Sequence, residues 1–266
     1  MQARELTTDV VRSFQRNRLP IFAHAMAFRV LLALVPFLLF LLAMLGLFDL
    51  QEVWRKDVAP DVRSHVSDAG FRLIDDTVKQ VLSQEQLWWL TVGLAVTLWE
   101  LSTVARVTML ALDRVYGYSR RRGLLEMLPR SLALGAAIGV CAVLAIAAVR
   151  FGPLLTGEVH GVVAVLSFLV RWLIAAAALG IGIGLTVRYG AATRQPVSWV
   201  SLGTGLVLLA WVLTSIAFGL YVTYIASYAS VFGHLATFFV LLLYIWLLAN
   251  AFLVGIQLDA CIRERA

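Results

Sequence analysis

Four ionisable side chains stand inside long apolar runs: Arg29, Glu100, Arg106 and Arg171. Taking a charge to bilayer depth costs several kcal/mol, so such residues pair with one another or line a polar path. One carboxylate faces three guanidiniums, which leaves the set with a positive excess. Arg29 or Arg171 is expected to pair with Glu100. The spare arginines are then expected to line a polar cavity that attracts an anion or a lipid phosphate, because the planar guanidinium suits both partners. The structural alternative is a buried ion pair that holds helices in register, with Arg106 snorkelling inward. Arg150 stands at the end of an apolar run and is read as snorkelling.

Other chemistry is poorly represented. His24, His65, His160 and His234 are scattered and form no metal pair of the H-x-H or H-E-x-x-H kind. The GIGIGL stretch at 180–185 lies inside an apolar run, not after a strand, so it is no phosphate loop, and no nucleophile elbow appears. Cys141 and Cys261 have no metal-type spacing and make no disulfide framework. No catalytic residue, metal ligand or cofactor site is expected, and the chain is not expected to be an enzyme.

The elements that must hold the four charges are membrane-crossing helices. Of 266 residues, 61% are hydrophobic and 14% charged, against roughly 45–50% and about 25% in a soluble domain. The excess is gathered into runs that match the roughly 20 residues a crossing helix needs. Six such runs are legible, at about 22–48, 88–112, 131–151, 162–187, 198–222 and 235–258. The chain is organised around 88–112, WWLTVGLAVTLWELSTVARVTMLAL, which carries both Glu100 and Arg106 and must therefore face protein rather than lipid. The expected fold is all-α: a single polytopic membrane domain over 1–266, with amphipathic extramembrane helices in an outer cap at 49–87. Pro60 suits the first turn of a cap helix.

The net charge of +6 does not point to nucleic acid, because the basic residues flank apolar runs on alternating sides. The loop after the second run has Arg114, Arg120, Arg121, Arg122 and Arg130 against Asp113 and Glu126. It is the strongest cytoplasmic marker, and six spans put both termini on its side. The expected location is the bacterial inner membrane, with cytoplasmic termini and no cleaved signal peptide. Residues 1–20 carry an apolar stripe of Leu6, Val10 and Phe14 and are read as a helix on the membrane surface. Gly135 with Gly139, and Gly180 with Gly184, make small faces for close helix contact. Pro36, Gly233 and Gly255 are read as packing points or helix ends before hinges. Trp88, Trp89, Trp199, Tyr116 and Tyr118 are read as interfacial anchors.

Three patches resemble the YihY/BrkB family of inner-membrane proteins. AMAFRVLLALVPFLL resembles its first-span pattern, with Leu34 and Pro36 in place and Ala33 where the family has serine. ALDRVYGYSRRRG resembles its Leu-Asn-Arg-aromatic-Gly segment: Leu112, Arg114, Tyr116 and Gly117 match, and Asp113 replaces the asparagine. The C-terminal YVTYIASYASVFGHLATFFVLLLYIWLLANAFLVGIQLDA resembles its signature through Tyr228, Phe232, Gly233 and Gly255, with Gln257 and Asp259 where the family tends to have Glu and Asn. The resemblance implies the membrane fold. The family has been described variously as a ribonuclease, a serum-resistance factor and a transporter.

Together these readings lead to an integral inner-membrane protein that transports or translocates an anionic or lipid-like solute. The rival is a non-transporting envelope scaffold or partner-binding protein. Membrane lipids are the expected partners, an anionic solute or lipid headgroup the expected ligand, and a homo-oligomer is compatible with the chain. A transporter requires a polar cavity at the midplane lined by the charged set. A scaffold requires a filled core with those charges paired, and lipid handling requires a groove open to the bilayer.

Overall fold

Residues 2–47, 54–65, 71–72, 75–76, 78–79, 86–118, 123–156, 162–192, 197–224 and 234–264 are described by the structure, a computed structural model. All regular structure among them is helical. Helix α1 is Gln2–Arg16 and α2 is Leu19–Leu47. A π-helical turn, Trp54–Val58, runs into the short α3, Ala59–His65. The long helices α4 (Gln86–Val115), α5 (Leu124–Thr156), α6 (Val162–Gly190), α7 (Val197–Tyr224) and α8 (His234–Glu264) follow. With α2 these make six helices long and apolar enough to cross a membrane. Most span ends fall within a few residues of the expected bounds. The exceptions are α5, which begins seven residues earlier and runs on to Thr156, and α8, which runs on to Glu264.

Helix α4 is the hub. It packs against α2, α5, α6 and α8, while α7 packs mainly on α8 and α6. The least apolar span, α4 at a mean hydropathy of 1.3, is also the most buried, at 39% of its central window against 11–28% for the others. The polar side chains Thr97, Ser102, Thr108 and Asp113 lie on the protein-facing side of α4, and all four are buried. Ser102 and Thr108 bond to carbonyls of their own helix, of Trp99 and Val104. The organising role expected of 88–112 is thus realised.

Small residues set the closest approaches. A Cβ on Gly135 of α5 would stand 2.7 Å from the backbone nitrogen of Ser102 on α4, so only glycine admits this backbone contact. Gly255 of α8 does the same against α7, with a Cβ 3.1 Å from the nitrogen of Val207. It is a mid-helix packing point. Pro36 lies within an unbroken α2.

The main core lies toward the end of the bundle that carries the termini. Leu19 and Ala23 of α2, Leu112 of α4, Val187 of α6, Val207 of α7 and Leu253 of α8 meet there with exposures of 0–1%. Helix α1 differs from its expected role as a membrane-surface helix. Its stripe turns onto protein: Val10 is buried, Phe14 packs on the main core, and α1 contacts α8 and α2. In the cap, Trp54 and Val78 are buried together with Leu42 of α2 beside them, and the Trp54 indole donates to Asp75 at 3.1 Å. Pro60 is the second residue of α3, as its missing donor allows.

Candidate functional site

The structure brings together two of the four intramembrane charges. Arg29 of α2 meets Glu100 of α4, Nη1 to Oε2, at 3.8 Å. That is an ion pair but longer than a charge-assisted hydrogen bond. Glu100 is the sheltered partner, with 18% of its side chain exposed against 42% for Arg29. Its Oε2 is buried and accepts no hydrogen bond among the described residues. Arg29 has no second partner there. Phe28 and Leu32, beside it on α2, are 55% and 41% exposed, so the guanidinium sits on the flank of the lipid-facing side.

Arg106 and Arg171 stay on their own helices. Arg106 donates to Thr103 Oγ1 at 2.7 Å and lies over the Trp99 ring at 5.4 Å. Arg171 donates from Nε to the Ser167 carbonyl at 3.1 Å. It falls on the stripe of α6 formed with Ala175 and Ala178, which packs with Ala145 of α5. The four charges therefore form one pair and two self-satisfied arginines. No group of His, Cys, Asp or Glu among the described residues could hold a metal ion.

A second polar layer closes the terminal end of the bundle. Asp113, 7% exposed, accepts the backbone N–H of Ala192 at 2.9 Å and clasps the end of α4 to the residues after α6. Asn17, in the turn between α1 and α2, donates to Gln257 of α8 at 3.0 Å, and Gln257 donates on to Cys261 Sγ at 3.5 Å. Asp259, 1% exposed, pairs with Arg263 one turn on. A Cβ on Gly203 of α7 would meet the Asp259 carboxyl carbon at 3.1 Å. Tyr116 turns inward to this layer and its hydroxyl is buried, which corrects its reading as an interfacial anchor. Burial pushes the phenol up to about 12, the Asp259 carboxylate adds to the shift, and Arg263 opposes it.

A groove of about 470 Å³ lies between α5 and α6 at the same end, lined by residues that include Arg130, Ala133, Ala137, Leu185, Tyr189 and Ala192. Alanines at facing positions leave it open. Its lining contains none of the four intramembrane charges.

Comparison with known proteins places the chain. The model of the family described as Virulence factor BrkB matches residues 10–266. The chain belongs to the BrkB family. A curated relative, named as a ribonuclease-like protein, is YfkH of Bacillus subtilis (strain 168), 22% identical over 246 residues, which cover 90% of this chain and 88% of the relative. No solved structure matches. This BrkB-family chain is a multi-pass integral membrane protein: its family match and six apolar helices agree.

The geometry also gives physical roles to the motif positions of this BrkB protein. Gly117, at φ +70°, ends α4 in a Schellman motif, with Tyr118 N–H bonded to the Asp113 carbonyl at 2.8 Å and Gly117 N–H to that of Arg114 at 3.4 Å. Asp113 needs only an acceptor oxygen for its clasp, which the asparagine it replaces would also offer. Arg114 is exposed. Tyr228 and Gly233 lie outside the described residues, as do the Arg120–Arg122 run and His160. The side chains of Trp88, Trp89 and Trp199 lie outside them too. Sequence reasoning passed over Asn17, Gly203, Arg188 and the groove. The Asp259–Arg263 pair carried a signal in its four-residue spacing. The groove carried none, because it depends on how two helices face each other.

Proposed function

We propose that this BrkB-family protein handles an anionic, lipid-like solute drawn sideways from the bilayer, and moves it past the Arg29–Glu100 pair. The observation that carries this reading is the placement of Arg29. A guanidinium at bilayer depth, two-fifths exposed, stands on the lipid flank with one loose partner, while the terminal end of the bundle is filled by Leu19, Leu112 and Leu253. An anion approaching through water would need a path through that core. An amphiphile reaches Arg29 from the side. Arg106 and Arg171, bonded within their own helices, would add positive potential rather than direct contacts. We also place the protein in the bacterial inner membrane with both termini in the cytoplasm, because the arginine-rich loop lies on their side.

The test is a proteoliposome assay with fluorescent phosphatidylglycerol quenched from outside, run beside a flux assay for chloride and sulfate. Wild-type protein is expected to exchange lipid between leaflets, and Arg29→Gln to lose most of that exchange. Anion flux without lipid exchange would return the reading to an aqueous path. If neither moves, the filled core favours the scaffold. Alkaline phosphatase fusions at the termini should be inactive; active fusions would reverse the topology.

A further inference from the structure

We propose that the groove between α5 and α6 is a binding site for one anionic phospholipid of the leaflet on the terminal side. This site is separate from the Arg29 flank and needs no transport activity. Arg130, Ala133, Leu134 and Ala137 line it from one stripe of α5. Seven residues of helix set Arg130 and Ala137 roughly 10 Å apart along the axis. Arg130 is near the terminal-side end of its span, Leu125–Val149, and Ala137 lies deeper. The groove thus runs from headgroup level toward the acyl chains, with a cation at its mouth and a methyl-lined floor.

Arg130 lines that mouth and Arg188 flanks it beside Tyr189; among the described residues neither has an anionic partner. Arg130 is exposed and makes no hydrogen bond or ion pair among the described residues. Arg188 lies 5.5 Å from the centroid of the Tyr189 ring that lines the groove, and its Nε is buried without a hydrogen-bond partner. The Arg130 guanidinium, exposed at the mouth, is the donor open to an anion. A phosphate diester fits, since arginine binds it through paired N–H donors. The floor decides what else the ligand carries. Free phosphate would leave the alanine-lined slot unfilled, and a neutral lipid would leave both arginines without a counter-charge. An anionic phospholipid satisfies both, and basic pockets between spans at this level are the setting in which such headgroups bind.

The experiment uses the full chain in neutral detergent, with bound lipid read by native mass spectrometry and affinity by thermal shift. The probes are phosphatidylglycerol, phosphatidylcholine and inorganic phosphate. One phosphatidylglycerol is expected to stay bound. The R130Q/R188Q variant should weaken it about 30-fold, at ~1 kcal/mol for each arginine near anionic lipid, with no change for phosphatidylcholine. Ala137→Leu, which fills the slot without touching charge, should weaken phosphatidylglycerol as well. Equal affinity in wild type and R130Q/R188Q would overturn the proposal, as would full stabilisation by phosphate alone or an unaltered affinity in Ala137→Leu. If the double variant does not elute as a single species, the exposed single change Arg130→Gln carries the same comparison, with about fivefold expected from one arginine. Lipid exchange measured on these variants separates this site from the Arg29 reading: loss of bound lipid with exchange intact leaves the transport proposal standing.

Discussion

Replacing Arg29 and Glu100 by Gln, singly, and both by Leu, tests whether the intramembrane pair is asymmetric. At about 4 Å and an effective dielectric near 20, two unit charges attract by ~4 kcal/mol. Partial exposure reduces this, and the 3.8 Å separation adds no hydrogen bond. Removing one partner of a buried pair costs ~3–5 kcal/mol, chiefly through the charge left behind. Here the two orphans differ. Arg29→Gln strands Glu100, which is 18% exposed and whose Oε2 has no hydrogen bond. Glu100→Gln strands Arg29, which is 42% exposed on a long, flexible stem that can turn its head toward the interface. We therefore expect Arg29→Gln to destabilise by ~2–3 kcal/mol and Glu100→Gln by ~1 kcal/mol, both below the fully buried case. The R29L/E100L double variant should lie within ~1 kcal/mol of wild type, because both desolvation terms vanish together. Reversible unfolding in mixed micelles, arranged as a double-mutant cycle, measures all three. Equal losses in the two single variants, or additive losses in the double, would refute the asymmetry and with it the idea that Glu100 is the sheltered member.

Three further outcomes follow from local geometry. Gly135→Ala places a Cβ 2.7 Å from the Ser102 nitrogen and 2.9 Å from the Leu101 carbonyl carbon, so the same unfolding assay should show a loss of ~1–3 kcal/mol. Gly205→Ala, where nothing lies within 4 Å, is the control and should gain up to ~1 kcal/mol from helix propensity. Asp113→Asn keeps the acceptor for Ala192 and should fall within ~0.5 kcal/mol of wild type. Asp113→Ala should lose ~1–3 kcal/mol and speed hydrogen exchange at Ala192. The Tyr116 phenol, held neutral up to about 12 in the folded chain, ionises near 10 when unfolded. Its contribution is whole below pH 10 and declines as pH rises toward 12, by up to ~3 kcal/mol. Tyr116→Phe should flatten that decline, and an unchanged alkaline slope would show that the phenol is not buried.

How much could be read from the sequence follows from how far each feature depends on tertiary geometry. The burial of α4 was legible because it is one-dimensional: a crossing helix with Glu100, Thr97, Ser102 and Thr108 along it has to face protein. The choice of partner for Glu100 was not. Arg29 and Arg171 are equivalent in type and depth, and which of them meets Glu100 depends on how α2 and α6 pack on α4. Tyr116 looked like an anchor because aromatic residues at span ends usually are. The Schellman turn at Gly117 ends α4 at that point, and the phenol faces the Asp259 layer instead.

The placement of the motif residues bears on where to look for function. Gly117 shapes a turn, Asp113 ties two helix ends, Gly255 permits a backbone contact, and Gln257 links the turn between α1 and α2 to α8. Each explains itself by the architecture it maintains, and together they hold the terminal end of the bundle shut. The guanidiniums that make no hydrogen bond among the described residues are elsewhere, at Arg29 on the lipid flank and at Arg130 and Arg188 by the groove. A membrane protein does not keep a cation at the depth of Arg29 without some return in binding or stability, because it is costly to desolvate. Arg106 and Arg171 show how such a charge is made structural, by bonding within its own helix. Arg29, Arg130 and Arg188 do not follow that pattern. If their role were packing alone, Gln at all three positions would leave both lipid exchange and bound phosphatidylglycerol at wild-type levels.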